Sequence, residues 1–580
     1  MADGVRFRLT LGATQLLQSK ATAADVAGTI KGIPRYEFVR HCTRMLNSLA
    51  FDRRLQDDQA ELVRWLPAEA RLRASRLGES ENTDIRLFHP FQQLMLVHAG
   101  ARFCDIKGGA DLSNEEKSRR WALASIQVND LMTKAEIPER LSPPALAIRV
   151  FSEEAARWEL ANPSSPNHSV ARLRSLILSG VPQTGAAEAD AAERIKSLLE
   201  QSVGLDFTTA FNLTAFLTYW WHARMDEDPH NPDAAAFDLR HWLNRSTIPT
   251  EQQRIFLHRV SMTTDDIVAA FDTFGGMSFN EMVPFRNRPL LRSESDQFAF
   301  ICPQFATEKG GVDLLWLASS EQGIRAKRPW TDDFGILYER YVRLIFEGLG
   351  ASLGGRYEPD IAWSEGDGGQ IDGLIHAGHV LVVIEVKGSL LSQRVLAAGT
   401  VDDVKSDIER KFVRDGSSRK AVVQLLEAVA WLESQRKARR QVRGIDLSKV
   451  YRVVPLLVTA ERALRFPPAT LWLNHRMKLL KSEMRVKSPG ALENLVICGT
   501  EDLENLEQLA IERKKSPISV LDQYVAMPRS EGEALWQHYA HLKSPHPRIR
   551  KVLDEWVGEL RRSGVVPAAA PQPDSSDALG

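Results

Sequence analysis

Three of the chain's charged residues stand together in an apolar setting. Asp372 lies in QIDGLI, and Glu385 and Lys387 close the run VLVVIEVK that begins at Val380. Successive side chains of a strand alternate faces, so Glu385 and Lys387 share one side and Val386 points to the other. The valine-rich run before them is apolar on both faces, as a strand buried in mid-sheet is. A charge buried there is costly unless it is paired or bound to a metal. Two carboxylates on neighbouring strands can hold a hard cation such as Mg²⁺ or Mn²⁺, which prefers oxygen ligands. Such an ion acidifies a bound water and offsets charge on a phosphoryl oxygen. A lysine beside it can orient or deprotonate that water. Without the ion, Lys387 stays charged next to two acids; a bound cation lowers its pKa.

The elements that position these residues read as a β-hairpin. Two apolar runs flank the turn-like His376-Ala377-Gly378-His379. Pairing His376 with His379, or Ile375 with Val380, sets Asp372 opposite Val383. Glu385 is then its diagonal neighbour, about 7–8 Å away, on the same face. A slip of one residue would turn Asp372 away and break the site. The chain also contains a literal Pro359-Asp360. Asp360 would have to reach the site from a separate strand, and Pro359 cannot donate to a ladder there. Asp372 is therefore the expected first acid.

Asp372 followed by Glu385-x-Lys387 on the next strand resembles the core of the PD-(D/E)xK, restriction-endonuclease-like nucleases. The resemblance runs from about residue 331 to 500. Upstream, Phe334-Gly335-Ile336-Leu337-Tyr338-Glu339 opens an amphipathic helix, and Glu339 matches the helix glutamate that reaches the metal in many members. Downstream, Gln424 in KAVVQLLEAVAWL resembles the glutamine helix of several branches, where such an amide would orient Lys387 or a phosphate. The resemblance implies a Mg²⁺- or Mn²⁺-dependent nuclease with Asp372, Glu385 and Glu339 as metal ligands. Lys387 and Gln424 complete the catalytic set. Large single-chain proteins of this kind resemble bacterial restriction or anti-phage defence nucleases.

The 580 residues suffice for several domains. Apolar content of 43% and charged content of 26% are those of an ordinary globular protein. A net charge of −1 makes any nucleic-acid surface a local feature. Cys42, Cys104, Cys302 and Cys498 are widely spaced, which fits free thiols in a reducing cytoplasm. No signal-peptide core and no membrane-length apolar run is visible. The expected architecture is multidomain. Residues 1–290 form a mostly α-helical half for recognition or regulation, and the candidate surface for a protein partner or self-association. A short β segment, 291–330, packs on an α/β nuclease domain, 331–500, with a mixed central sheet. A helical C-terminal extension, 501–562, and a disordered tail, 563–580, follow. Within the core, a strand over 450–459 contains Pro455, which suggests an edge or a bulge.

Between 405 and 443 eleven basic residues face five acids. Lys405, Arg410, Lys411, Arg419, Lys420, Arg436, Lys437, Arg439 and Arg440 are the candidates for contact with a phosphate backbone. The expected function is cleavage of nucleic acid, DNA first. The alternatives are an RNA-directed toxin nuclease and a non-catalytic nucleic-acid-binding or assembly protein that retains the fold.

Overall fold

The structure is a computed structural model. It describes residues 7–10, 13–49, 63–78, 83–87, 89–106, 112–132, 141–161, 165–227, 243, 246–271, 282–318, 330–363, 369–392, 395–396, 400–416, 418–527, 535, 546–563 and 565. The tail expected to be disordered lies almost wholly outside these residues.

The region around the acids folds as a six-stranded mixed sheet between helices. It opens with α1 (Trp330–Leu349), whose buried residues Phe334, Leu337, Tyr338, Tyr341, Val342, Ile345 and Phe346 recur at helical spacing. Asp332 and Asp333 in its first turn suit the helix dipole. Strands β1 (Arg356–Ala362), β2 (Gln370–Ala377) and β3 (Val380–Lys387) follow as an antiparallel meander. The chain continues through α2 (Val401–Ile408) and α3 (Ala421–Lys437) to β4 (Arg452–Thr459), which lies parallel to β3. Helix α4 (Pro467–Glu483), the short strands β5 (Ala491–Leu492) and β6 (Val496–Gly499), and α5 (Thr500–Arg513) complete the unit.

Two apolar layers sandwich the sheet. Val380, Val382, Ile384 and Val386 of β3 join α1 and α5 in one cluster. Leu381 and Val383 join α3 and α4 in the other. Glu385 and Lys387 continue the second row by alternation. Strand β4 lies inside the sheet rather than at its edge, which corrects the expectation drawn from Pro455. Its odd-numbered residues turn their backbone groups toward the β5–β6 side: Ala491 N donates to Tyr451 O, and Glu493 N to Val453 O. The β5 pairing ends at Val453 and the β6 pairing begins at Leu456. The missing N–H of Pro455 falls in that gap, so no ladder bond is lost.

The first half is largely helical, as its periodicity suggests, but its apolar clusters do not divide at residue 290. Residues 16–128 and 262–305 contribute to one cluster. The helix Pro143–Ala161 packs on α4 and α2, and Ala186–Val203 packs on α1. The 291–330 segment is β in its first part only. Leu290–Arg292 and Phe298–Phe300 join Ser261–Met262 in a separate three-stranded sheet. The run VDLLWLA, Val312–Ala318, is 3₁₀ helix. There the buried Lys309 Nζ caps the Asp313 carbonyl at 3.1 Å, and the Asp313 carboxylate holds Arg286 at 2.7 Å. That local polar network competes with strand pairing. A parallel pair, Phe7–Thr10 with Thr83–Arg86, was not anticipated. The C-terminal helix Pro547–Arg562 packs back on Pro166–Ile177, where Arg174 meets Glu559 at 2.6 Å. Among the described residues no helix is long and apolar enough to cross a membrane.

Candidate active site

The hairpin turns on two residues, Gly378 and His379, with Gly378 at φ +60°. Positive φ at the first central position only is what a type II′ turn requires, and glycine adopts it without steric cost. Ala377 therefore pairs with Val380, Leu374 with Val383 and Gly373 with Ile384. This is two residues away from the register read from the sequence. It brings Asp372 level with Glu385, not Val383. Because strand faces repeat every two residues, the shift keeps Asp372 on the expected face and shortens the diagonal relation to a direct one. Asp372 Oδ2 accepts the Val386 N–H at 2.6 Å. Gly373 is required beside it: a Cβ there would lie 2.7 Å from the Tyr357 ring.

Glu385 is only 2% exposed. Its Oε1 accepts from Lys387 Nζ at 2.5 Å, while its Oε2 is buried with no hydrogen-bond partner. Burial and the like charge of Asp372 push the Glu385 carboxyl up to about 8, against the pull of Lys387. Burial likewise raises Asp372, against Lys387 and the Val386 N–H. Burial opposes the Lys387 charge, but Glu385 and Asp372 outweigh it and hold the ammonium above its ordinary value.

Helix α1 brings Glu339 to these residues. Gly388, directly after Lys387, packs on Gly335: a Cβ added to Gly388 would lie 2.7 Å from the Gly335 Cα. Gly335, Glu339 and Arg343 are spaced i, i+4, i+8 on one helix face. Four residues rise about 6 Å, close to the strand separation of about 4.8 Å. The helix therefore crosses the sheet end strand by strand. Gly335 meets β3 at Gly388. Glu339 is an electrostatic neighbour of Asp372 on β2, and Arg343 pairs with Asp360 on β1. Glu339 is open to solvent on one side. Lost hydration on its protein side, then the charge of Asp372, raise its carboxyl against the pull of Lys387.

Asp360 is nearer than the sequence suggested. The β1–β2 ladder pairs Pro359 with Gly373 and Ile361 with Ile371, so Asp360 faces Asp372 without joining the ladder. It sits at φ +49°, unusual for a non-glycine residue, and its carboxylate turns outward to Arg343. Gln424 lies in the first turn of α3, with its Oε1 buried and unpartnered. No hydrogen bond joins it to Glu385 or Lys387. The start of α3 is tied to the segment after β3 indirectly: Lys420 N donates to Val413 O, and Lys411 Nζ to Leu390 O at 2.7 Å.

Several of the basic candidates have local work. The buried Asp407 accepts from Ser392 N, Arg410 and Lys411 at 2.8, 2.7 and 2.9 Å. Those donors outweigh its burial and hold it below the usual carboxylate range. Arg419 pairs with Glu427, and Arg436 and Lys437 with Glu433. Among the described residues Lys405, Lys420, Arg439 and Arg440 form no ion pair; Lys405, Arg439 and Arg440 are exposed. The i, i+3 and i, i+4 spacings of Asp407 and Glu433 to their partners were visible in the sequence. The buried Glu461, missed there, accepts from Leu391 N at 2.6 Å and Ala463 N at 2.9 Å and so pins the segment after β3.

The donors of Asp372, Glu385 and Glu339 are all oxygens, and the orphaned Glu385 Oε2 is a buried acceptor in need of a cation or a proton. These residues fit a hard divalent ion. Among the described residues, no three His, Cys, Asp or Glu side chains are already grouped as they would be round a metal. Lys387 engages the other Glu385 oxygen in their place. No family model, curated protein or solved structure matches this chain.

Proposed function

We propose that this protein is a metal-dependent nuclease that hydrolyses phosphodiester bonds of nucleic acid, with DNA the first substrate to test. The observation that carries the reading is Glu385. It is a carboxylate buried at the end of a central strand, with one oxygen on Lys387 and the other unpartnered, beside Asp372. A buried acid so arranged is costly for folding alone, and perturbed acids gathered at one strand end mark functional sites. The resemblance to PD-(D/E)xK nucleases supports the same reading from the motif.

Asp372 and Glu385 would hold Mg²⁺ or Mn²⁺, with Glu339 at the open side. When bound, the ion supplies charge for the phosphoryl oxygens and lowers the pKa of a bound water. Lys387 Nζ then has a choice of acceptors. With Glu385 turned to a cation, the ammonium is free to donate to a phosphoryl oxygen or to orient the attacking water. Val386 N–H holds Asp372 Oδ2 in place throughout. Gln424 Oε1, buried and unpartnered, is in this reading an acceptor for the water or for Lys387. Lys405, Lys420, Arg439 and Arg440 supply unpaired positive charge for a phosphate backbone. A role in bacterial defence against phage or foreign DNA is the outermost layer of the proposal and rests on the family resemblance.

The test is incubation of the purified protein with plasmid, linear duplex, single-stranded DNA and RNA. Mg²⁺, Mn²⁺, Ca²⁺, Zn²⁺ and EDTA are compared. Cleavage with Mg²⁺ or Mn²⁺, binding without cleavage in Ca²⁺, and loss in EDTA are expected. Full activity in EDTA, or rescue by Zn²⁺ alone, contradicts the reading. Cleavage confined to RNA selects the RNA-directed alternative. The Glu385–Lys387 contact favours one second reading, a nucleic-acid-binding protein that keeps the fold without the chemistry. Binding with no cleavage under any metal selects it.

A further inference from the structure

We propose that Arg343 is a phosphate-binding residue at the mouth of this site, held off the substrate by Asp360 until a backbone phosphate displaces it. The proposal rests on the nuclease reading above and adds the group that would anchor the substrate beside the metal.

Four acids meet at this sheet end, Asp372, Glu385, Glu339 and Asp360, against the cations of Lys387 and Arg343. A phosphodiester entering such a cluster needs positive charge beyond a metal ion, and Lys387 is largely buried behind Glu385. Arg343 is placed to provide it. It lies one turn beyond Glu339 on the same face of α1, and its side chain is 33% exposed. Its Nη1 pairs with Asp360, and its Nε donates to Glu347 Oε1 at 2.8 Å. Guanidinium binds phosphate in the same forked geometry that it uses for carboxylate, so a phosphate can replace Asp360 without moving the helix. The Asp360 side is built for such a release. The residue is strained at φ +49°, leaves the β1–β2 ladder, and is 52% exposed. Strain of this kind persists where function requires it.

The test measures cleavage in Mg²⁺ and equilibrium binding of a duplex in Ca²⁺ over a range of salt, for wild type, Arg343→Ala, Arg343→Lys and Asp360→Asn. Arg343→Ala should weaken binding about tenfold, as loss of a charge-assisted hydrogen bond does. It should also lower the log–log salt slope by about 0.9, the value of one phosphate. Arg343→Lys should restore the slope but only part of the affinity. Asp360→Asn should tighten binding, because the competing carboxylate is gone. Unchanged affinity and slope in Arg343→Ala, with wild type cleaving normally, overturns the Arg343 assignment alone. Asp360→Asn that weakens binding as Arg343→Ala does overturns it too, because the pair would then be only a tie. Wild type that does not cleave overturns the nuclease reading, and this proposal with it.

Discussion

Replacing Glu385 with Gln keeps the shape of the side chain and removes its charge, with separate consequences for chemistry and for folding. For chemistry, a cation loses its buried ligand and Lys387 loses the carboxylate that holds it at 2.5 Å. Cleavage should fall by at least about a thousandfold, about 4 kcal/mol of barrier. For folding, the carboxyl ordinarily titrates at 4.5 and in the folded protein at about 8. Below pH 4.5 both states hold the proton. Between 4.5 and 8 the unfolded chain has ionised and the folded one has not, so stability falls as pH rises. Above 8 the loss is complete. At about 1.4 kcal/mol per unit, the penalty carried by wild type reaches on the order of 5 kcal/mol, a figure that already includes the pull of Lys387. Gln carries no such penalty. The two proteins should therefore have similar thermal midpoints near pH 4.5. The difference should move steadily in favour of Glu385→Gln up to pH 8. Circular dichroism melts at half-unit steps of pH, with cleavage assayed on the same preparations, measure both effects. A variant that cuts at the wild-type rate, or a difference in midpoint that does not change with pH, refutes the reasoning.

Other expectations follow from the same geometry. Asp372→Ala should abolish cleavage, whereas Asp360→Ala should retain it, since Asp360 turns outward to Arg343; single-turnover rates on one duplex compare them directly, and the reverse order would reassign the first acid. Reversing Arg439 and Arg440, which form no ion pair, should weaken binding and flatten its salt slope by about 1.8. Reversing Arg436 should do less, because Glu433 already holds it; equal effects would place the binding surface elsewhere. Gly388→Ala forces a Cβ to 2.7 Å from the Gly335 Cα. Neither backbone can yield cheaply, so stability should fall by about 1–3 kcal/mol in a denaturant titration. Cleavage should fall as well, because α1 would carry Glu339 away from Asp372. A variant with wild-type stability and rate would show that this contact does not set the helix.

The local parts of the site are legible in residue patterns alone. Period-two alternation placed Glu385 and Lys387 on one face of a buried strand, and the apolar spacing of α1 placed Glu339 on a helix just upstream. These patterns depend on neighbouring residues and survive any tertiary arrangement. Tertiary structure decided what depends on long-range partners. The hairpin register came out two residues from the sequence reading because the choice of turn lies with Gly378 and its strand twist, which apolar patterning alone does not distinguish. Pro455 is central because β5 stops and β6 starts beside it, a fact about two other segments. The run 312–318 is 3₁₀ helix, tied by Arg286 from a separate segment at Asp313. Above all, α1 crosses the sheet end so that Gly335, Glu339 and Arg343 meet β3, β2 and β1 in turn. That crossing depends on Gly388, more than fifty positions from Gly335 in the chain, where a Cβ would meet the helix backbone. A missing side chain leaves no periodic signal. Only the packed structure shows that the helix can come close enough there for the acids to act together.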